Sequence, residues 1–191
     1  MTGPAPRVAT AGDAEAVADL VHAAYRSEES RRGWTTESHL VGGQRVDATM
    51  VRDLVAADDG VVLVLDAPKP GAGDAAAEPA VPLLACCHVE RRERTAYVGM
   101  FAVRPALQGR GLGRRMLAAA EDQARAWSLT TLELTVLDHR PELLAWYERC
   151  GFALTGVRHP FPYGDDRFGL PQRPDLALLG MTKQLDPGGT A

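Results

Sequence analysis

The run Val103-Arg-Pro-Ala-Leu-Gln108-Gly-Arg-Gly111-Leu-Gly113-Arg-Arg-Met116 constrains the fold most, because it joins a strand-like stretch to an amphipathic helix through a turn dense in glycine and arginine. Glycine at 109, 111 and 113 removes Cβ atoms where backbone must approach a ligand closely, and it permits positive φ where the turn needs it. A helix start carries roughly half a positive charge and several N–H groups without intrahelical partners, so an anion there is stabilised by fixed dipoles. Arg104, Arg110, Arg114 and Arg115 fall in the same run with no acidic residue among them, although the whole chain has a net charge of −4. Cations in a first helical turn oppose the macrodipole, and a bound phosphate would supply the missing compensation. The plainer reading of the same residues is an ordinary strand–turn–helix with a solvated arginine face.

Two phosphate-binding signatures fail here. A Walker loop needs a Gly-Lys dipeptide, and the chain has none. The dinucleotide fingerprint would start at Gly109, but its third glycine falls on Arg114, although Glu133 lies at about the right distance for a ribose-binding acid. What fits is Gln/Arg-x-x-Gly-x-Gly/Ala, met by Gln108, Gly111 and Gly113 directly after Tyr97-Val-Gly-Met-Phe-Ala-Val103. A second run, Pro141-Glu-Leu-Leu-Ala-Trp-Tyr147-Glu-Arg-Cys-Gly151-Phe152, has proline suited to a first helical position and glycine suited to a helix end.

In these two runs the sequence resembles the GNAT superfamily of acyl-CoA-dependent N-acetyltransferases. The resemblance implies an α/β fold in a single domain: a mixed, mostly antiparallel sheet with helices on both faces and a splayed strand pair that admits the cofactor. It implies that Gln108, Gly109, Arg110, Gly111, Leu112, Gly113 and Arg114 bind the pyrophosphate of acetyl-CoA through backbone N–H groups. Phe101, Ala102 and Val103 would pair with the pantetheine arm. Tyr147 would return a proton to the departing thiolate, which a phenol can do because its unperturbed pKa is about 10. The alternative for Tyr147 is a packed aromatic beside Leu143 and Leu144. The family often places a glutamate base in the strand before the turn, and this chain has Tyr97 at that position. Glu90, Glu93, Glu133 and His139 are the remaining candidates, alongside transfer by proximity alone.

Acceptor recognition falls to the variable loops. Arg31-Arg-Gly-Trp34-Thr-Thr-Glu37 offers an aromatic wall at Trp34 and a carboxylate at Glu37, suited to a cationic amine. Arg158 to Pro174 adds Phe161, Tyr163, Asp165, Asp166 and Phe168. Surface packing would account for either loop equally well. The expected activity is N-acetyl transfer from acetyl-CoA to a primary amine of a small molecule, by direct attack in a ternary complex. The alternative is a CoA-binding sensor or scaffold without turnover. A homodimer is left open.

A chain of 191 residues, 46% of them hydrophobic, is long enough for one sizeable core and short for two. With 21 basic against 25 acidic residues there is no general attraction to nucleic acid or anionic membrane. No stretch approaches about 18 uninterrupted apolar residues and no leader pattern opens the chain, so a cytoplasmic protein is expected. Three cysteines and five histidines show no metal-ligand spacing, and no metal is expected.

Residues 1–6 read as a flexible start, 7–185 as the domain, 67–80 as a flexible internal loop and 186–191 as a tail. Periodicity predicts helices over Asp13 to Tyr25, Asp47 to Ala57, from the glycine turn to Trp127, and after Pro141. Strands are predicted near Arg7 to Thr10 and over Val61 to Leu65, Val81 to Glu90, Tyr97 to Val103, Thr131 to Leu137, Phe152 to Val157 and Leu176 to Met181. Arg26 to Val46 is predicted to be irregular.

Overall fold

Apolar side chains alternate across the central strands, so both faces of the sheet need cover, and helices supply it on each side. The computed structural model describes residues 4–28, 30, 33, 36–43, 45–68, 82–165 and 169–186. In chain order the elements are β1 (Arg7–Val8), α1 (Ala14–Tyr25), β2 (Val41–Gly42), α2 (Ala48–Ala56), β3 (Gly60–Asp66), β4 (Leu83–Arg91), β5 (Ala96–Val103) and α3 (Leu112–Ala126). They continue with β6 (Thr131–Leu137), α4 (Pro141–Arg149), β7 (Ala153–Pro160), β8 (Leu170–Pro171) and β9 (Ala177–Gln184). Seven strands form one sheet in the order β1-β3-β4-β5-β6-β9-β7, antiparallel except between β5 and β6.

The strand alternation sorts residues onto two cores. Val62, Val64 and Cys86 pack with Val17, Leu20 and Val21 of α1 and Val51 of α2. Leu63, Leu65, Cys87 and Val89 pack with Met116, Leu117 and Ala120 of α3. The adjacent cysteines therefore face opposite sides, and burial pushes the Cys86 thiol up to about 12 and Cys87 higher still, so neither is reactive at neutral pH.

Local signals hold the helix ends. Arg7 bridges Asp13 at 2.8 Å and Asp66 at 2.7 Å, and the Thr10 N–H donates to Asp13 at 2.7 Å, which fixes the short 3-10 turn leading into α1. Asp47 caps α2 by accepting from the Met50 N–H at 2.8 Å. Pro141 opens α4, and Gly151, at φ +92°, follows its last turn.

Differences from the predicted elements follow from packing. On α3 the fully buried stripe is Met116, Leu117, Ala120 and Ala124, while Leu112, Ala119 and Trp127 are only half-buried at its margin. The irregular segment before α2 holds the short strand β2, which pairs with β8 in the long loop before β9; two residues carry no readable alternation. β7 and β9 each run three residues beyond the predicted strand ends, to Pro160 and Gln184. The expected flexible loop lies outside the described residues from 69 to 80, and the tail from 187 onward. At the base of that loop the Ala67 N–H donates to the Pro82 carbonyl at 2.9 Å. Among the described residues no helix is long and apolar enough to cross a membrane.

Leu20 is fully buried between α1 and the sheet, away from any cleft. Leu20→Ala is expected to lower unfolding stability by about 2–5 kcal/mol, read by urea denaturation with an unchanged slope.

Candidate functional site

β5 and β6 pair only at their starts, Ala96 with Leu132 and Tyr97 with Glu133. The cause lies on the other side of β5. Cys86 pairs with Ala102 and His88 with Gly99, so Cys87 alone faces both Met100 and Phe101. Met100 takes φ 46°, a left-handed conformation that is uncommon for a residue with a side chain. The resulting bulge bends β5 away from β6 and opens a cleft between them. At its apex the hydroxyl of Tyr25, the last residue of α1, donates to the Phe101 carbonyl, and burial pushes that phenol up to about 12.

The glycine turn lies at one end of this cleft. Gly109 and Gly111 adopt φ +78° and +83°, and a Cβ at either would meet nothing within 4 Å, so both satisfy a backbone demand beside open space. Gly113 differs: its φ is not positive, and a Cβ there would lie 3.0 Å from Trp146, so it sets how closely α3 approaches α4. Gly111 caps α3 without a side chain, and no N–H from Gly109 to Arg114 has a backbone acceptor among the described residues. Such a concave set of donors fits a pyrophosphate. The arginines divide. Arg104 donates to the Leu83 carbonyl and Arg115 to the Pro4 carbonyl, Arg114 lines the cleft, and Arg110 is exposed. Gln108 donates from Nε2 to the Val103 carbonyl at 3.2 Å and so ties the turn to the end of β5.

A cavity of about 380 Å³ runs along this turn. Phe101, Val103, Gln108, Gly109, Gly111, Leu112, Gly113 and Arg114 line it, whereas Ala102 is buried under α1 and Arg110 lies beside it. Arg149, at the end of α4, also lines it and has no signal in the sequence. A second cavity of about 440 Å³ occupies the other end of the cleft, between β5, β6 and the loops before α2. Tyr25, Phe101, Leu143 and Tyr147 line both, so the two cavities meet at these four side chains.

Tyr147 is 6% exposed, with its ring edge-on to Trp146 at 4.9 Å and to Phe152 at 5.5 Å. It is therefore a packed core aromatic as well as a cleft residue. Its hydroxyl has no hydrogen-bond partner among the described residues, and burial raises its pKa well above the ordinary phenol value. It holds its proton across the physiological range.

Tyr97, at the family's glutamate position, hydrogen-bonds Thr135 Oγ1 at 2.8 Å across the mouth of the split and lies under Arg92 at 4.0 Å. None of the four candidate bases lines either cavity. Glu90 and Glu133 pair with Arg92 at 3.1 and 3.8 Å, Glu93 is exposed, and His139 sits between Asp138 and Asp175 at 2.7 and 3.7 Å.

In the acceptor loops, Trp34, Asp166 and Phe168 lie outside the described residues. Glu37 is 5% exposed and lines the second cavity, but its carboxylate is ringed by Arg45 at 3.0 Å, Arg26 at 3.6 Å and Arg140 at 3.7 Å. The sequence singles out the carboxylate and misses the arginines, which come from three separate segments. Phe161 lines the same cavity, and Tyr163 instead braces its own loop by donating to the Arg173 carbonyl at 2.9 Å.

Residues 78–152 match the model of the acetyltransferase (GNAT) family. The chain is 33% identical over 117 residues to probable glucosamine 6-phosphate N-acetyltransferase 2 of Oryza sativa subsp. japonica, covering 58% of this chain and 65% of that protein. It is 41% identical over 69 residues to the IAA acetyltransferase of Azospirillum brasilense, covering 36% and 43%. The chain thus spans less than two thirds of the length of these curated relatives. Among solved structures it resembles the ribosomal-protein-S18-alanine N-acetyltransferase from Escherichia coli, with a TM-score of 0.62, 16% identity and coverage of 97% and 96%. It also resembles yncA from Salmonella typhimurium, solved with its cofactor acetyl-CoA, with a TM-score of 0.63, 20% identity and coverage of 100% and 98%. At these identities the likeness is one of fold. The family match over residues 78–152 and the likeness of fold agree with the resemblance carried by the glycine turn and the Tyr147 helix.

The left-handed backbone at Gly111 gives a stability test of the turn. Gly111→Ala is expected to lower stability by about 1–2 kcal/mol through φ alone, and Gly111→Asn by less, because asparagine tolerates this region. Equal losses for the two variants in urea unfolding would contradict it.

Proposed function

We propose that this protein transfers an acetyl group from acetyl-CoA to the primary amine of a small molecule, by direct attack within a ternary complex. The observation that carries the proposal is the meeting of a glycine-lined, donor-rich cavity with a second cavity at Tyr147. When bound, acetyl-CoA supplies the acetyl group as a thioester.

Each part of the cleft then has a task. The N–H groups from Gly109 to Arg114 hold the pyrophosphate, with Arg114 and Arg149 adding charge at the cavity wall. The edge of β5 freed by the bulge, from Phe101 to Val103, offers backbone groups to the pantetheine arm. As the N–C bond forms and the C–S bond breaks, Tyr147 gives its proton to the departing sulfur and regains one from solvent, and its raised pKa keeps the phenol protonated between turnovers. The second cavity receives the acceptor, with Glu37 in its wall. The curated relatives are named for small molecules, glucosamine 6-phosphate and IAA, which is in keeping with an acceptor of that size.

Proton removal from the amine falls to solvent. Apart from tyrosines, the ionisable side chains of the second cavity among the described residues are Glu37 and Arg45, which are paired with each other. The amine must therefore enter neutral, which a largely apolar cavity favours, and positioning provides the rate.

Tyr147→Phe is expected to lower kcat about 10²-fold or more while acetyl-CoA affinity holds; unchanged turnover would remove Tyr147 from the reaction. In the wild type, kcat/KM is expected to rise with pH towards the pKa of the acceptor amine. Because the Tyr147 pKa is raised, no loss of its proton should bring a descending limb below about pH 10.

A further inference from the structure

We infer that the acceptor carries an oxyanion, a carboxylate or a phosphate, beside its amine and an apolar body, and that Arg45 binds this oxyanion. The inference rests on the acetyltransferase reading above and specifies the acceptor of the same site.

A cationic acceptor would need a free carboxylate in the second cavity, and Glu37 is not free. Its Oε2 lies 3.0 Å from Arg45 Nη1 and 3.6 Å from Arg26 Nη1, and its Oε1 lies 3.7 Å from Arg140 Nη1. Arg140 in turn holds Glu142 at 2.6 Å. Among the described residues three guanidinium ions thus converge on the one carboxylate that lines the cavity, which leaves it little to offer a cation.

The hydrogen-bond inventory gives the same sign. Arg26 is 3% exposed in its side chain, yet its Nε and Nη1 have no hydrogen-bond acceptor among the described residues. Arg45 hydrogen-bonds Glu37 through Nη1, and its remaining donors have no acceptor among the described residues. Arg26 lies behind the cavity, whereas Arg45 lines it with its side chain 32% exposed, so the spare donors of Arg45 are open to a ligand, and an oxyanion is the ligand that takes them up.

Geometry places Arg45 within small-molecule reach of the reaction. Its guanidinium lies 4.1 Å over the ring of Tyr25, and Tyr25 lines both cavities where they meet beside Tyr147. A guanidinium held over a ring keeps its edge donors for a carboxylate or phosphate. The rest of the cavity is apolar, through Met50, Leu54, Leu134, Val136 and Phe161, and suits the body of the molecule between amine and anion.

Turnover should be compared across primary amines that differ only in the anion: L-leucine with L-leucinamide, and glucosamine 6-phosphate with glucosamine. At least one anionic member is expected to exceed its neutral partner tenfold or more in kcat/KM, and the pair that does so identifies carboxylate or phosphate. Arg45→Gln should erase that preference, with KM for the anionic member rising at least tenfold. Arg45→Lys keeps the charge against Glu37, guards against misfolding, and should retain part of the preference. A wild type that prefers the neutral members, or spermidine, overturns the inference.

A second measurement does not depend on turnover. In wild-type protein loaded with CoA, so that the pyrophosphate cradle is filled, the Arg45 Nε–H resonance is followed as inorganic phosphate or acetate is added in separate arms. A saturable shift with either supports the site, and no shift with both overturns it. Failure to bind CoA, or absence of all turnover, counts instead against the acetyltransferase reading. The Arg45 titration still decides the anion site in that case.

Discussion

One extra residue in β5 determines where this protein can bind a ligand. Because Cys87 faces both Met100 and Phe101, the strand turns away from β6 after Tyr97, and the sheet opens instead of continuing. A left-handed backbone at a residue such as Met100 costs on the order of 1–3 kcal/mol and persists only where its surroundings over-determine it. Here α1 and α3 clamp the strand from opposite faces, and Tyr25 satisfies the Phe101 carbonyl that the ladder has lost. Both cavities, and the exposure of Tyr147 to each, follow from that one separation.

The two ends of the cleft are built from different physics. The end beside α3 relies on backbone: N–H groups without a backbone acceptor among the described residues and two left-handed glycines, with Arg114 and Arg149 adding charge at the wall. Such a site suits an anion whatever hangs beyond it, and on the proposed reading that anion belongs to a donor shared by many enzymes. The other end relies on side chains drawn from α1, β5, β6 and the loops, with charge concentrated in Glu37 and its arginines and apolar surface elsewhere. On the proposed reading, selectivity for an acceptor resides there.

Legibility in the sequence followed the range of the interaction. The glycine turn could be read because positive φ beside open space demands glycine at 109 and 111, and because a helix start follows directly. The α4 helix could be read from Pro141 and Gly151, and the two-faced core from alternation in β3 and β4. The bulge could not, since neither Met100 nor Phe101 signals a left-handed backbone; it is imposed by packing. Nor could the ring around Glu37, because Arg26, Arg45 and Arg140 are far apart in the chain and only the fold brings them together. β2 and β8, at two residues each, are too short to show a period.

The central claim is that the turn from Gln108 to Arg114 holds the pyrophosphate of acetyl-CoA. Calorimetric titration with acetyl-CoA of the wild type and of Gly111→Trp, whose side chain would fill the cradle, tests it most directly. The account predicts one site of about micromolar affinity, near −8 kcal/mol, in the wild type, and at least a hundredfold loss in a variant that remains folded by circular dichroism. Undiminished affinity in folded Gly111→Trp, or no binding by the folded wild type, would contradict it.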